Sequence, residues 1–451
     1  MTSRISGFFV SLFVVMALSA ASGSPQKTAA PGSVNDTIRL SLEDAIRRAL
    51  ETNEDVGIAA AELDKAKGTK KEATSAALPH LDIFASYTRN PLLPVIFFPD
   101  FDTGEPTGIK IGADNDYLMT VSVNQVLFAF GRVGGAIKAA DYYLKSSEEG
   151  LEAAKKDVRL EAEIAYYDAL LAVEVRRIAI QSLARAKNQF EETEKKLRQQ
   201  TASRFDSIRA AVEIKNREPE VLNAENAIRL ARLNLKRIVG IDRNTPVILT
   251  DSLVYEPETY SLDDAIEEAY QIRSDIRALR LNVAMTEKIY TVQKRGNFPT
   301  LSLFGNYTLQ GQSQGYLLQV EQHANMASVG LSLNFPIFDG LATQGRAAQA
   351  KADHSAAQLS LQRLEKIVAL ALQELYDQLG AEQENLESQQ ATVQMAEESY
   401  RLALVRFQNG LSTRLELEDA ELALTVARLN YTEAVYRYMV AKKRFEYAMG
   451  H

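Results

Sequence analysis

Two carboxylates near the C-terminal end of the chain are the best candidates for chemistry. Glu416 and Asp419 lie three residues apart in a stretch without proline, so on a helix they share one face. Like charges held close together attract cations and resist joint ionisation. Because Glu418 and Glu421 lie alongside, the alternative interpretation is an ordinary solvated acidic face. Taken alone, these residues favour that alternative.

Residues for catalysis or metal binding are scarce in this sequence. The chain has no cysteine and only four histidines, which are scattered along it. A disulfide framework, a thiol nucleophile and a cysteine-based zinc site are therefore excluded. We expect no catalytic residue, no metal and no cofactor. The net charge of −8 argues against nucleic acid as a partner.

The elements that position the two carboxylates belong to an internal repeat. The sequence SLEDAIRRAL at 41–50 returns as SLDDAIEEAY at 261–270, and VSVN at 121–124 returns as LSLN at 331–334. Ser41 and Ser261 each begin a capping-box pattern, which predicts a helix start. We predict two structural repeats, 41–240 and 261–451, joined by a linker or equatorial segment at 241–260.

Each repeat contains two segments in which apolar and polar residues alternate, as in a strand with one apolar face. We place these strands near 80–89, 117–128, 300–311 and 326–338. Strands of this length and pattern are typical of outer-membrane barrels. Four strands cannot close a barrel, and an open edge in lipid leaves unpaired backbone groups that each cost several kcal/mol. Several copies must therefore combine their strands, and two, three or four copies all satisfy this arithmetic.

Long helices follow the second strand of each repeat. The segments from about 132 to 199 and from about 342 to 408 contain no proline, and a helix of this length extends about 100 Å. Turns near 201 and 410 send the chain back along a second helix. Alanine is frequent at the apolar positions, so we expect the helices to pack closely. The remaining positions are mostly polar, so we expect both faces of the helical layer to contact water. The alternative is a structural periplasmic coiled coil that tethers envelope layers, but it leaves the strands without a role.

The first residues have the features of a secretory signal peptide. Arg4 precedes an apolar run at 8–21 that is too short to span a membrane comfortably, and small residues follow it. We therefore predict a cleaved signal peptide at 1–24 and a flexible N-terminus at 25–40. The mature chain is expected to leave the cytoplasm.

One apolar segment has no counterpart in the second repeat. The sequence NPLLPVIFFPD begins at Asn90, and residues 91–99 are the most apolar loop of the chain. If the strands form a barrel, this loop lies at its cell-surface end. It could cover the barrel mouth, contact lipid, or associate with its own copies around the barrel axis, because an apolar patch of this size needs cover.

The duplication and four sequence stretches together resemble the TolC-like outer membrane efflux proteins. The stretches are ALPHLDIFASYTRN, NFPTLSLFGNYTLQG, LSLNFPIFDGLATQGRAAQAKA and RFQNGLSTRLELEDAELALTVARLNY. The resemblance implies an α+β membrane protein. In that fold, a homotrimer forms a 12-strand β-barrel, with four strands per protomer, continuous with a long periplasmic α-helical coiled-coil barrel. It also implies a passive exit duct in outer-membrane lipid, serving a tripartite efflux or type I secretion system with a periplasmic adaptor and an inner-membrane pump.

The resemblance also implies roles for individual residues. Glu416 and Asp419 would point into the tunnel at its periplasmic tip and form stacked acidic rings. Asp206 would open the return helix of the first hairpin. The implied gate contacts are Arg204, Phe407, Ser412 and Arg414. Here the chain departs from the family, which has a tyrosine at Phe407 and an arginine at Ser412.

The two helix-reversing turns are the implied docking sites for the adaptor. Their residues are Thr201, Ala202, Ser203, Gly410 and Leu411. Gly410 permits a positive φ in the second turn, and we expect Gln200 to lack that freedom in the first.

Overall fold

The computed structural model describes residues 37–99, 104–314 and 322–451, and a similar series of elements occurs twice in them, with two additional strands in the first series. The first series is β1 (Ile38–Leu40), α1 (Leu42–Thr52), α2 (Glu54–Ser75), β2 (His80–Arg89), β3 (Val95–Pro99), β4 (Pro106–Lys110), β5 (Asn115–Phe128), α3 (Arg132–Arg198) and α4 (Arg204–Ile238). The second series is β6 (Val247–Leu249), α5 (Leu262–Ile272), α6 (Ser274–Lys294), β7 (Thr300–Ser313), β8 (Gln322–Asn334), α7 (Ala342–Gln408) and α8 (Arg414–Met449).

Two long helical hairpins form most of the chain. Helices α3 and α7 contain 67 residues each, and a helix of that length extends about 100 Å. Near the sheet, α3 packs between α2 and α6, and α6 packs on α7. Farther along, α3 packs between α4 and α8, and α8 packs on α7. The chain therefore presents a row of helices at both levels, with α7 at one edge and α2 or α4 at the other.

None of the helices in the described ranges is both long enough and apolar enough to span a membrane.

Capping residues mark the starts of the first two helices, and the start after Ser41 agrees with the prediction. The Ser41 hydroxyl accepts a hydrogen bond from the Asp44 amide at 3.1 Å, and the Asn53 side chain accepts one from the Asp55 amide at 2.8 Å. Asn53 has extended backbone angles, so α1 ends and α2 begins there.

The prediction that segment 25–40 is flexible is wrong for its last three residues. Residues 38–40 form β1, which pairs in parallel with β6 of the predicted linker. Leu40 is fully buried, and its carbonyl accepts a hydrogen bond of 2.9 Å from the Tyr166 hydroxyl. Burial and pairing therefore hold this segment in place. The predicted signal peptide (1–24) and residues 25–36 lie outside the described residues.

A four-stranded antiparallel sheet lies at one end of the molecule, and the two hairpin turns lie at the other end. Its strand order is β2-β5-β7-β8, so β2 and β8 are the edges. Strand β8 ends at Asn334, earlier than the predicted 338, because Pro336 lacks the N–H group that a longer ladder needs. Strand β7 extends to Ser313, beyond the predicted 311.

The sheet separates apolar from polar side chains. One row across the strands is apolar and consists of Ile83, Val121, Tyr307 and Ala327. The adjacent row on the other face is polar and consists of Asp82, Ser122, Asn306 and Ser328. On the apolar face Val329 is 81% exposed. A continuous apolar face turned outward is what a lipid-facing barrel wall presents.

The predicted loop 91–99 is instead part of a second, smaller sheet. Strands β3 and β4 pair antiparallel, with Phe97 opposite Gly108. The hairpin connects β2 to β5 at the end of the sheet remote from the helices. Pattern reading missed it because residues 92–98 are apolar without alternation.

The buried core lies about midway between the sheet and the hairpin turns, where the return helices meet the short helices. One cluster joins α1, β1 and β6 to α3 and α4, and it includes Tyr166 and Ile238. A second cluster joins α5 to α7 and α8, and it includes Tyr438, Phe445 and Leu372. This region anchors both hairpins at their bases and leaves their turns free at the far end.

Candidate functional site: the two hairpin tips

The two turns at the ends of the hairpins have the same backbone geometry. Gln200 and Gly410 both have positive φ, 58° and 74°. The next amide donates back into the preceding helix, from Thr201 N to Lys196 O at 2.9 Å and from Leu411 N to Arg406 O at 2.8 Å. This is a helix C-cap with a left-handed residue. The expectation for Gln200 was wrong, because the turn forces a left-handed conformation on a residue with a side chain.

Each return helix starts with a matched cap and acid. Ser203 Oγ accepts a hydrogen bond from Asp206 N at 3.2 Å, and Asp206 Oδ2 accepts one from Ser203 N at 3.0 Å. At the equivalent positions Thr413 Oγ1 accepts from Glu416 N at 3.3 Å. Hydrogen bonds from the side chain and backbone of Ser203 lower the pKa of Asp206. Asp206 is thus a helix-capping carboxylate that stays ionised.

Glu418, which the sequence assigned to a solvated face, joins the two tips. Its oxygens lie 2.6 Å from Arg209 Nη2 of α4 and 2.7 Å from Arg414 Nε of α8. The Arg414 side chain is 13% exposed, and its Nη1 donates to the carbonyl of Asp206 at 2.8 Å. One carboxylate and two guanidinium groups therefore tie the first two turns of α8 and α4 together across α3. The spacing of Arg414 and Glu418 hints at half of this network, but Arg209 carries no local signal.

A second pair joins the hairpins farther from the turns. Arg185 Nε of α3 lies 2.9 Å from Glu421 of α8, and both side chains are 18% exposed. Arg185 also donates to Thr425 Oγ1 at 3.0 Å. Glu421 is thus a positioning group between helices, a role that was not predicted from the sequence.

Glu416 and Asp419 remain accessible at the second tip. Glu416 is exposed, with Arg406 Nη2 at 4.0 Å. Asp419 is exposed and has no hydrogen bond or ion pair with the described part of the chain. Of the four neighbouring acids, Glu418 and Glu421 are paired across the hairpins, and the two candidate ring residues are exposed. The accessible pair presents two carboxylates on one face, which suits loose binding of hydrated cations.

The other implied gate residues occupy different environments. The Lys196 ammonium lies 4.6 Å from the centre of the Phe407 ring, a cation–π contact in place of a hydroxyl bond. Ser412 Oγ is buried and has no hydrogen-bond partner among the described residues. Arg204 is exposed. The structure thus brings Arg414 and Asp206 together but does not join Arg204, Phe407 and Ser412 to them.

A polar groove of about 450 Å³ runs beside the tips between α3 and α7. Its lining includes Arg185, Glu192, Lys196, Tyr400 and Phe407. Both signs of charge and two aromatic rings face it, so it offers mixed contacts to a helical partner rather than a selective small-molecule site.

Comparison with known proteins identifies the family. A family model described as "Outer membrane efflux protein" matches residues 45–241 and 265–451. The chain is 23% identical to Protein CyaE of Bordetella pertussis over 61% of its own length and 58% of CyaE. It is 23% identical to the alkaline protease secretion protein AprF of Pseudomonas aeruginosa, covering 92% of this chain and 85% of AprF.

Solved structures show the same fold. The CmeC outer membrane channel of Campylobacter jejuni superposes with a TM-score of 0.74 at 18% identity, covering 91% of this chain and 85% of CmeC. The α+β architecture predicted from the sequence, strands continuous with long helical hairpins in a twofold repeat, is confirmed. The chain therefore belongs to the outer membrane efflux protein family.

Proposed function

We propose that three copies of this chain form a passive exit duct. A 12-strand barrel crosses the outer membrane, and a tunnel of helices continues it into the periplasm. The observation that carries this proposal is that both the sheet and the row of helices end in unsatisfied edges on the same two sides of the protomer. The duct needs no catalytic residue, metal or cofactor.

The sheet supplies the first pair of edges. Strands β2 and β8 each have a neighbour on one side only, and unpaired N–H and C=O groups in lipid cost several kcal/mol each. Joining β8 of one copy to β2 of the next removes that cost. Two copies would give eight strands, whose interior is filled by side chains. Three copies are the smallest closed set that leaves a passage, and the family resemblance favours three over four.

The helices supply the second pair of edges. Along α4, Phe205, Ile208 and Val212 are exposed at intervals of three and four residues, so they form one apolar stripe. Along α7, Leu402 and Val405 are exposed in the same way. Packing α4 of one copy against α7 of the next would cover both stripes. The same rotation about the axis then closes the sheet and the helices together.

The hairpin tips are the proposed constriction and docking site. Three copies of Glu416 and Asp419 would form acidic rings where the tunnel is narrowest, and Asp206 would lie at the equivalent height on the first hairpin. The exposed turns, with Leu411 70% exposed, present Thr201, Ala202, Ser203, Gly410 and Leu411 to a periplasmic adaptor. An inner-membrane pump would feed the adaptor, and the predicted signal peptide would direct the chain out of the cytoplasm.

The first experiment measures copy number and conductance on one preparation. The mature chain, purified in detergent from outer membranes, should have the mass of a trimer and give small cation-selective currents in planar bilayers. A water-soluble single chain would instead support the structural tether and overturn the duct.

Substitution then tests the constriction. Changing Glu416→Ala together with Asp419→Ala should reduce cation selectivity and change the conductance, because the acidic rings that concentrate cations are removed. Glu433→Ala is the matched control, because this acid lies on the same helix but pairs with Arg437 one turn away. Unchanged currents in the double variant would show that the rings lie elsewhere.

A further inference from the structure

The two repeats are equivalent element by element, so a contact between them at the centre of the chain has an equivalent at its edges. Helix α7 (Ala342–Gln408) begins and ends 210 residues after α3 (Arg132–Arg198). Strand β7 pairs with β8 in the register in which β2 pairs with β5, once the offset between the repeats is applied. In a closed ring every copy uses the same two edges. The contact of α3 with α8 therefore predicts how α7 contacts α4 of the next copy.

The contact of α3 with α8 beyond the buried core is rich in charge. We call it the inner seam, and it comprises residues 181–193 of α3 and 414–428 of α8. Its side-chain bonds between the two helices use charged arginines, namely Arg185 with Glu421 and Thr425, Arg428 with Gln181, and Arg414 with Thr193. The inner seam is thus held by polar groups that water can also satisfy.

The equivalent contact between copies replaces the ion pair with apolar side chains. We call it the outer seam, and it comprises residues 391–403 of α7 and 204–218 of α4 from the next copy. Met395 and Ala211 occupy the positions equivalent to the paired arginine and glutamate of the inner seam. Met395 is 66% exposed in the single chain, so this position lacks the cover that its equivalent has.

Opposite charges do not meet at the other equivalent positions of the outer seam. Ala391 is opposite Glu218, which already pairs with Lys215 of its own helix at 2.9 Å. Nearer the turns, Arg204 is opposite Ala403. The outer seam therefore depends on apolar contact rather than on ion pairs.

Nearer the core, the same two edges expose the equivalents of buried residues. Tyr166 and Val440 are both buried in the first core cluster. Their equivalents Tyr376 and Leu230 lie on α7 and α4, at opposite edges of the chain, and are 36% and 64% exposed. A second copy of this chain is the occupant that fits both edges, because it supplies to each the partner that the repeat supplies inside the chain.

The two seams differ in the free energy of separating them. When the inner seam separates, its charged groups recover the hydration that they lost on pairing. When the outer seam separates, apolar surface returns to water, which is unfavourable in proportion to its area. The buried core anchors the bases of both hairpins, so the tips can move apart only along a seam.

From this difference we propose that the tunnel opens along the three inner seams and that the outer seams stay closed. The α7–α8 hairpin of one copy then moves as a unit with the α3–α4 hairpin of the next. The proposal rests on the trimeric duct proposed above, and the occupant of the outer seam is a second copy of this chain.

Cross-linking tests the outer seam, because the native chain has no cysteine. Met395→Cys with Ala211→Cys, treated in outer membranes with a short bis-methanethiosulfonate that reductant removes, should give covalent dimers and trimers on a denaturing gel. Met395→Cys with Leu222→Cys is the matched control and should give single chains. Leu222 is exposed on the same helix, but it lies eleven residues from Ala211, or about 16 Å along the axis.

The outcomes separate the seam from the duct. Single chains from the first pair, in a preparation that keeps the mass of a trimer, overturn the outer seam and leave the duct intact. Loss of trimer mass in the unmodified protein overturns both. Where the first pair of cysteines prevents assembly, Tyr376→Cys with Leu230→Cys tests the same seam nearer the core, and the same outcomes decide.

Conductance tests which seam opens. Gln181→Cys with Arg428→Cys places the same reagent across the inner seam, where these two side chains lie 3.4 Å apart. This link should lower the open probability in planar bilayers about fivefold or more, and reduction should restore it. The outer link should change the open probability by less than about twofold, because that seam does not move.

Each linked protein is its own control after reduction, since the substitutions remain and only the link is lost. An open probability that the inner link leaves unchanged would overturn the proposal. A channel that the outer link holds closed would overturn it as well.

Discussion

The tips of the two hairpins share a backbone and differ in their charges. Both end a 67-residue helix with a left-handed residue and restart with a Ser or Thr cap followed by an acid at the third helical position. Local geometry has therefore been retained in both repeats. The side chains that follow differ, so a duplicated turn can serve two purposes.

Two equivalent pairs show how the roles differ. Arg204 and Arg414 occupy the same position, yet Arg204 is exposed and Arg414 is nearly covered. The reason is the residue four places on, which is Ile208 in the first tip and Glu418 in the second. Only the second arginine has a carboxylate on its own helix face.

The next equivalent pair has opposite charge. Arg209 of the first tip reaches across to Glu418, whereas Asp419 of the second tip stays exposed. The first tip thus contributes the cation that ties the hairpins together, and the second keeps Glu416 and Asp419 exposed for the proposed rings. If the two tips were identical, Arg209 and Glu418 would not both be present at these positions, and the ion pair between the hairpins could not form.

The largest expected effect comes from removing the shared carboxylate. Glu418→Gln should increase the population of open tips about tenfold, or ~1.4 kcal/mol, because two arginines lose a charge-assisted partner. Open probability of the trimer in bilayers measures this. Glu398→Gln is the control, because that acid pairs with Arg401 of the same helix. An unchanged closed state would show that Glu418 does not hold the tips.

A smaller effect should follow when the first tip is given the charge pattern of the second. Arg209→Asp places a carboxylate three residues after Asp206, and cation over anion permeability should rise about threefold because the rings gain negative charge. The reversal potential in a KCl gradient measures this ratio. Arg209→Gln removes the same bridge and one positive charge without adding an acid, so it should raise the ratio by less. If both variants behave alike, the acid at this height does not face the tunnel.

The smallest effect concerns the backbone of the turns. Gln200→Gly removes a left-handed cost of about 1 kcal/mol, so amide exchange in the first turn should slow about fivefold. Gly410→Gln should speed exchange in the second turn to a similar extent, since Gly410 has φ of 74°. Mass spectrometry of exchange on the detergent-solubilised trimer measures both. Equal rates before and after the changes would mean that neither turn is strained.

Most of the architecture follows from short-range patterns. Alternation over ten residues locates a strand, and a long run without proline locates a helix, because both depend on neighbours along the chain. The helix starts after Ser41 and Ser261 followed from capping residues. The pairing of β3 with β4 did not follow, because a run of apolar residues has no period that predicts a strand. Gln200 also gave no signal, since its conformation is imposed by the turn.

The sequence by itself determined the repeat, the half-apolar strands and the shortage of strands that makes association necessary. The tertiary structure decided which acids are paired and which are free. Glu418 and Arg209 are 209 residues apart in the chain and meet only because α4 and α8 both pack against α3. The physical reason is range: backbone geometry is set by residues a few places apart, whereas an ion pair depends on which helices pack together.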